Sequence, residues 1–127
     1  MAFSKEFEVG PQQVAAFADL VQDHNPIHLS AQFAQGTRYK APICHGLLLT
    51  AYISGCLVEV YGQGTVYLEQ QVQFRRPVPV GSKIRVVLGE GEAQEKGALK
   101  LSTTIEVQVG SYWKKAIEGY AVINPGY

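Results

Sequence analysis

Residues 23 to 28 read Asp-His-Asn-Pro-Ile-His, a polar run that follows an apolar segment and leads into Leu29. Asp23 and His28 stand on either side of a proline-set turn, in which Pro26 fixes one dihedral and Asn25 favours a tight bend. A carboxylate and an imidazole aimed at one point can hold a water molecule between them. That is the equipment for general acid–base chemistry near neutral pH. The plainer reading has Asp23 bonding the turn backbone and His28 as a surface or satisfied core histidine. His24 falls on the other side of the turn and is expected to be exposed.

A second stretch, Pro42-Ile43-Cys44-His45-Gly46, leads into the most apolar part of the chain. The first N–H groups of a helix have no partner within it and carry the positive end of its dipole. Gly46 lets a ligand oxygen come close to the backbone. Such a place suits a thioester carbonyl whose oxygen gains negative charge during reaction, where one well-aimed donor contributes roughly 3–4 kcal/mol. The plainer reading is a capped helix start. Ser54, inside the following helix, would bond the carbonyl one turn back or else the Asp23 carboxylate. Cys44 and Cys56 are expected to be small buried hydrophobes, and neither makes a metal spacing. The three histidines, at 24, 28 and 45, are scattered and make a weak metal case. No glycine-rich phosphate loop or nucleotide fingerprint occurs.

The elements that must position these groups follow from periodicity. Phe3, Lys5, Phe7 and Val9 alternate with Ser4, Glu6 and Glu8 as a short strand. Pro11 then opens a helix with Val14, Phe17, Ala18 and Val21 on one face, and Asn25-Pro26 ends it. Ser30 caps a short helix through Phe33 and Ala34, stopped near Gly36. Residues 46–61, GLLLTAYISGCLVEVY, are apolar nearly all round and predict a buried helix stopped at Gly62. After Gly64 the period becomes two. Val66, Leu68, Val72 and Phe74 are expected on one face of a strand ended by Pro77 and Pro79. Ile84, Val86 and Leu88 mark the next, and Leu99 to Val109 a third. Trp113, Ile117, Ala121 and Ile123 mark a face of the fourth, and Gly97 and Gly110 are the turns. The sum is an α+β domain, an antiparallel sheet curled around a buried helix, with free edges that favour dimerisation by edge pairing.

Composition narrows the function. At 127 residues the chain makes one ordinary domain, residues 1–127, and needs neither disulfide nor metal to fold. Eleven basic residues balance eleven acidic ones. That argues against nucleic acid as the main partner and against a polybasic membrane anchor. The longest apolar run is too short to span a bilayer, which takes about 20 residues. The start, MAFSKEFEVG, has no apolar signal core, and Pro125-Gly126-Tyr127 matches no targeting tail. With two cysteines only, an intracellular, cytoplasmic protein is expected.

Taken together, the two chemical stretches resemble the MaoC-like, hydratase-2 family, the (R)-specific enoyl-CoA hydratases of the hot-dog fold. The family pattern Asp-x-Asn-Pro-(apolar)-His is met by Asp23, Asn25, Pro26, Ile27 and His28. The family's His-Gly pair is met by His45-Gly46, and its later Ser-Gly by Ser54-Gly55. The segment from Tyr67 to Val80, containing QFRRPVPV, resembles the family's long strand and the proline-bearing turn after it. One departure is Gln22, where members usually have glycine before the aspartate, which could shift the turn. The resemblance implies that Asp23 and His28 hold and activate a water that adds to a trans-2-enoyl-CoA. It implies that the Gly46 N–H binds the thioester oxygen, that Ser54 and Asn25 support the pair, and that an (R)-3-hydroxyacyl thioester is formed. It implies no metal and no other cofactor, an acyl-CoA partner and a homodimer. The acyl chain is expected beside the central helix, its depth set by Tyr52, Leu57 or Val58. Arg75, Arg76, Lys114 and Lys115 are candidates for the CoA phosphates. A 3-hydroxyacyl-ACP dehydratase, a thioesterase and a non-catalytic acyl-thioester-binding module are the alternatives.

Overall fold

The computed structural model describes residues 3–125, so Met1, Ala2, Gly126 and Tyr127, which enter the readings of the two chain ends, lie outside it. The chain runs β1 (Phe3–Val9), α1 (Pro11–Val21), α2 (Pro26–Leu29), α3 (Ala31–Gln35), α4 (Gly46–Tyr61), β2 (Val66–Phe74), β3 (Ser82–Leu88), β4 (Glu92–Ala93), β5 (Leu99–Val109) and β6 (Tyr112–Asn124). The strands form one antiparallel sheet in the order β1-β3-β5-β6-β2, with the two-residue β4 added on β5. Helix α4 packs against β2, β3 and β5. The expected α+β arrangement, the hot-dog fold, is therefore present.

The boundaries follow the local signals. Pro11 sits in the first turn of α1, and the Ser30 hydroxyl accepts from the Phe33 N–H to cap α3. The turn expected at 25–28 is tighter than proline alone requires. Asn25 Oδ1 accepts from the Ile27 N–H, and α2 forms as a single helical turn. The core lies between α4 and the sheet. Leu49, Ile53, Cys56 and Leu57 from the helix meet Ile84, Val86, Leu88, Leu101, Ile105 and Ile123 from the strands, all nearly inaccessible. Burial of these side chains at about 25 cal/mol per Å² is the main force that fixes α4 on the sheet.

Three expectations need correction. Helix α4 is not buried all round: Leu47, Ala51, Ser54, Gly55 and Val58 form an exposed stripe. Apolar composition alone does not show that a helix is covered, because a small-residue stripe reads the same whether or not something lies on it. Strand β2 carries a bulge. Tyr67 pairs with Ile123 and Glu69 with Val122, so Leu68 is the extra residue. The parity of the strand flips there, and Tyr67 shares the inner face with Gln70, Val72 and Phe74, while Val66 and Leu68 are exposed. A second irregularity between Ile105 and Glu106 lets Ala116 and Ile117 both be buried. It turns Trp113 away from the face of Ile117, and its ring lies under the Arg85 guanidinium, 4.4 Å from the ring centroid.

The inner face keeps one polar group inside the sheet. The Gln70 amide donates to Thr103 Oγ1 (2.9 Å) and to the Tyr120 carbonyl (3.0 Å), and the Tyr67 hydroxyl donates to Gln70 Oε1. Burial pushes the Tyr67 phenol up to about 12. Gly119 lets β6 and β2 close, since a Cβ there would overlap the Gln71 carbonyl.

Candidate active site

Three segments meet at the N-terminus of α4. The strand-like stretch before the helix is held from both sides. Cys44 N–H donates to the Val78 carbonyl (2.8 Å), Val80 N–H to the Pro42 carbonyl (3.0 Å) and Ile43 N–H to the Ile27 carbonyl (3.2 Å). The proline-bearing turn after β2 and the α2 turn are thereby fixed to the start of α4. This is how Asp23 and Gly46, 23 positions apart in the chain, come to share one cavity.

The cavity holds about 580 Å³, within the usual range for small-molecule sites. Asp23, His28, His45 and Gly46 all line it. Its apolar wall includes Phe17, Leu49, Val78 and Ile117, and Arg38, Arg75 and Arg76 are among its cationic residues. One ligand atom from each of Asp23, His28 and His45 lies within 4.8 Å of the others. A water at ordinary hydrogen-bond length, about 2.8 Å from each, spans that gap between a carboxylate oxygen and a ring nitrogen.

The hydrogen bonds assign the ring atoms. His28 Nδ1 lies 2.7 Å from the Ile43 carbonyl, which can only accept, so Nδ1 carries the proton and Nε2 is the nitrogen left for chemistry. Asp23 Oδ1 accepts from the Asn25 N–H at 3.2 Å. That bond holds the carboxylate over the turn and leaves its remaining acceptor capacity unused by the described residues. Both functional and plain readings of the sequence are thus partly present: Asp23 does bond the turn backbone, and it lines the cavity as well.

Gly46 begins α4, and the His45 side chain makes no cap bond to the first amides of the helix. These N–H groups remain open at the positive end of the helix dipole. Glycine leaves room for the Phe74 ring beside these amides: a Cβ on Gly46 would lie 2.5–3.2 Å from that ring and push it aside. Gln22, the departure from the family pattern, adopts φ +62°, the left-handed region that favours glycine. The glutamine takes that conformation as the left-handed C-cap of α1, immediately before Asp23.

Other expected residues lie elsewhere. Ser54 is exposed on α4, outside the cavity lining, and makes no hydrogen bond to Asp23 or to the carbonyl one turn back. Helical period places it opposite Leu49 and Ile53. Tyr52 packs on Phe7, Leu57 is in the core, Val58 is exposed, and none of the three lines the cavity. Its apolar walls come instead from α1, the first turn of α4, the turn after β2 and Ile117 of β6. Lys114 and Lys115 are also outside the lining. Arg75 pairs with Glu118 at 2.9 Å. Arg38, which the sequence reading missed, stacks on Tyr39 and donates to its hydroxyl. Nothing local in the sequence distinguished it from a solvated charge. His24 is exposed, as expected, and pairs with Asp19.

The histidines are less scattered than their spacing suggested. His28 and His45 stack at 3.8 Å between centroids and 28° between planes. Ring-nitrogen lone pairs lie in the ring plane, so those of stacked rings run side by side instead of converging on one ion. Asp23, His28 and His45 are close enough to be considered for a metal, but this orientation does not suit one. Cys44 lines the cavity as a buried thiol, pushed up to about 11 by burial, and is no nucleophile near neutral pH.

Comparison with known proteins gives the family and the fold. The MaoC like domain family matches residues 1–111. An (R)-specific enoyl-CoA hydratase of Aeromonas caviae is 39% identical over 123 residues, covering 95% of this chain and 88% of that protein. The solved structure of an R-hydratase from Pseudomonas aeruginosa, in unliganded form, superposes with a TM-score of 0.90 at 32% identity, covering 99% of this chain and 80% of that one. A solved (R)-hydratase from A. caviae gives 0.89 at 36% identity, covering 98% and 93%.

Proposed function

This chain belongs to the MaoC-like domain family, and from that membership we propose that it is an (R)-specific enoyl-CoA hydratase, a hydro-lyase that adds water to a trans-2-enoyl-CoA. The observation that carries this is the meeting of Asp23, His28 and Gly46 in one cavity from segments distant in sequence.

In this reading the water sits between the Asp23 carboxylate and His28 Nε2. Its oxygen attacks C3 of the enoyl group while the pair takes one of its protons. The alkene electron pair moves through C2 onto the thioester oxygen, where the Gly46 N–H stabilises the enolate. The pair returns the proton to C2, giving a 3-hydroxyacyl thioester, with the (R) configuration that family membership implies. Dehydration is the same path reversed. Every proton is accounted for within the pair, so the step calls on no metal or redox cofactor.

The CoA phosphates would meet Arg76 and Arg38 before Arg75, which is already paired with Glu118. Residues 1–127 act as one domain. A homodimer is part of the proposal, supported by the exposed β2 edge with Val66 and Leu68 and by the exposed stripe of α4. A cytoplasmic setting is proposed with it, supported by two unpaired buried cysteines. Among the described residues no helix is long and apolar enough to cross a membrane.

The test is to mix the protein with crotonyl-CoA and longer enoyl-CoA thioesters and follow loss of the enoyl-thioester absorbance, with chiral analysis of the product. Turnover to the (R)-hydroxyacyl-CoA is expected. Absence of turnover at every chain length would refute the proposal, and a clear preference for carrier-protein thioesters would move it to a 3-hydroxyacyl-ACP dehydratase.

A further inference from the structure

The residue before Gly46 has no assigned task in this scheme, yet it is the most unusual side chain at the site. His45 is 3% exposed, and its Nδ1 is the buried side-chain polar atom without a partner among the described residues. Buried polar atoms are nearly always bonded, so one left open calls for a reason. Its other nitrogen, Nε2, lies 3.1 Å from the Asp23 carbonyl, which can only accept. Nε2 therefore carries the proton, and the open Nδ1 is a bare lone pair. One ring face carries His28, stacked at 3.8 Å, and Phe17 approaches at 5.0 Å with planes 64° apart.

His45 also stands where a helix-capping side chain normally stands. Serine, threonine, aspartate or asparagine there would turn an oxygen onto the N–H groups of the first turn. That would fill the amide site a substrate oxygen needs. The imidazole turns away from its own helix and reaches back 22 residues to the Asp23 main chain. It thus leaves the amides open and ties the water-holding loop to the helix that carries them.

We propose that His45 is a positioning residue. Its Nε2–H fixes the main chain at Asp23, and its ring is the shelf that sets the plane of His28, so that the water and the Gly46 amide stay at the spacing of one conjugated enoyl unit. His45 touches no reacting atom in this scheme. The inference rests on the hydratase reading for its rate effect but not for its geometry. Misplacing reacting groups by about 1 Å can cost on the order of 10²-fold in rate without loss of binding.

Two variants separate the two contacts. His45→Gln keeps a donor for the Asp23 carbonyl and removes the ring; His45→Phe keeps a ring and removes the donor. With crotonyl-CoA, each folded variant is expected to lose about tenfold or more in kcat, with KM within about threefold of wild type. A role in folding alone would move the melting curve and leave kcat of the folded fraction unchanged. Loss in His45→Phe alone assigns the effect to the donor, and loss in His45→Gln alone to the ring. Wild-type kcat in both, or a loss carried by KM only, overturns the proposal. Long-range ¹⁵N–¹H spectra of the wild-type histidines decide it even if neither variant folds. The expected tautomers are Nδ1–H on His28 and Nε2–H on His45, and the opposite tautomer on either ring overturns it. Those spectra stand whatever the substrate, so a wild-type protein that hydrates no enoyl-CoA strikes the hydratase reading and leaves this geometry to be judged separately.

Discussion

At its first turn, helix α4 borders a cavity: Gly46 and Leu47 line it, the amides are uncapped, and the neighbours are a carboxylate, two imidazoles and an exposed phenylalanine. Beyond that turn the same helix is packed on one side by Ile53, Cys56 and Leu57 against the buried apolar face of the sheet. The two regions share one backbone and separate two tasks. The packed turns fix where the helix starts, and the open turn leaves its polar groups unsatisfied so that a ligand can satisfy them. Changes at the first turn should therefore alter rate more than stability, and changes in the packed turns the reverse.

The largest break of that contrast comes from the proposed acid–base pair. Asp23→Asn and His28→Ala should each lower kcat by about 10²–10⁴, while the melting temperature changes little, because Asp23 is exposed and His28 only half-buried. Steady-state kinetics beside a thermal melt would check this. Intact activity in either variant would remove these residues from the roles given them.

Next is the opposite pole. Ile53, fully buried in the core, should cost about 2–5 kcal/mol of stability on truncation to alanine. In urea unfolding this appears as a lower midpoint, while kcat of the folded enzyme holds.

Gly46→Ala sharpens the boundary. The new Cβ would press on the Phe74 ring, which is 55% exposed and free to turn aside. Stability should change little, but the displaced ring crowds the amide, and kcat/KM should fall about tenfold or more. A fall in melting temperature without loss of rate would show that the ring, and not the amide, is what the glycine serves.

Gln22→Gly relieves a left-handed residue just before Asp23. A gain of about 1 kcal/mol in unfolding free energy is expected, with kcat unchanged. The smallest effect belongs to Cys44. Its thiol is raised from 9.0 to about 11, so at pH 8 its thiolate fraction is about 10² below that of an unperturbed thiol. Iodoacetamide at that pH should leave activity unaltered although Cys44 lines the cavity. Rapid inactivation protected by substrate would contradict the burial that raises it.

How legible this was in the sequence differs by region. The span of α4 was readable residue for residue, because Gly46 and Gly62 bound an apolar run of helical length. Strands β1, β3 and β5 were legible too, because burial follows period two along most of their length, broken at Lys5 and at Val109. Strand β2 was not, since one extra residue at Leu68 reverses which side chains face inward, and no residue type announces a bulge. Asp23 and His28 were legible as a pair because the turn chemistry between them is local. Ser54 reads as buried but is exposed, because an apolar helix does not show which of its faces is covered. Arg38 reads as a solvated charge and His45 as part of a helix start, because the cavity that both line is assembled from segments far apart in the chain.

The sequence by itself determined the elements and the chemical groups: local periodicity and proline and glycine placement act within a few residues, and so can be read there. Only the tertiary structure decided that Asp23 and His28 share one cavity with Gly46. That depends on the hydrogen bonds joining Ile43 to Ile27 of α2, and Pro42 and Cys44 to Val80 and Val78 after β2. Such bonds are between main-chain atoms, which every residue carries alike, and side-chain identity does not specify them until the core has brought the segments together.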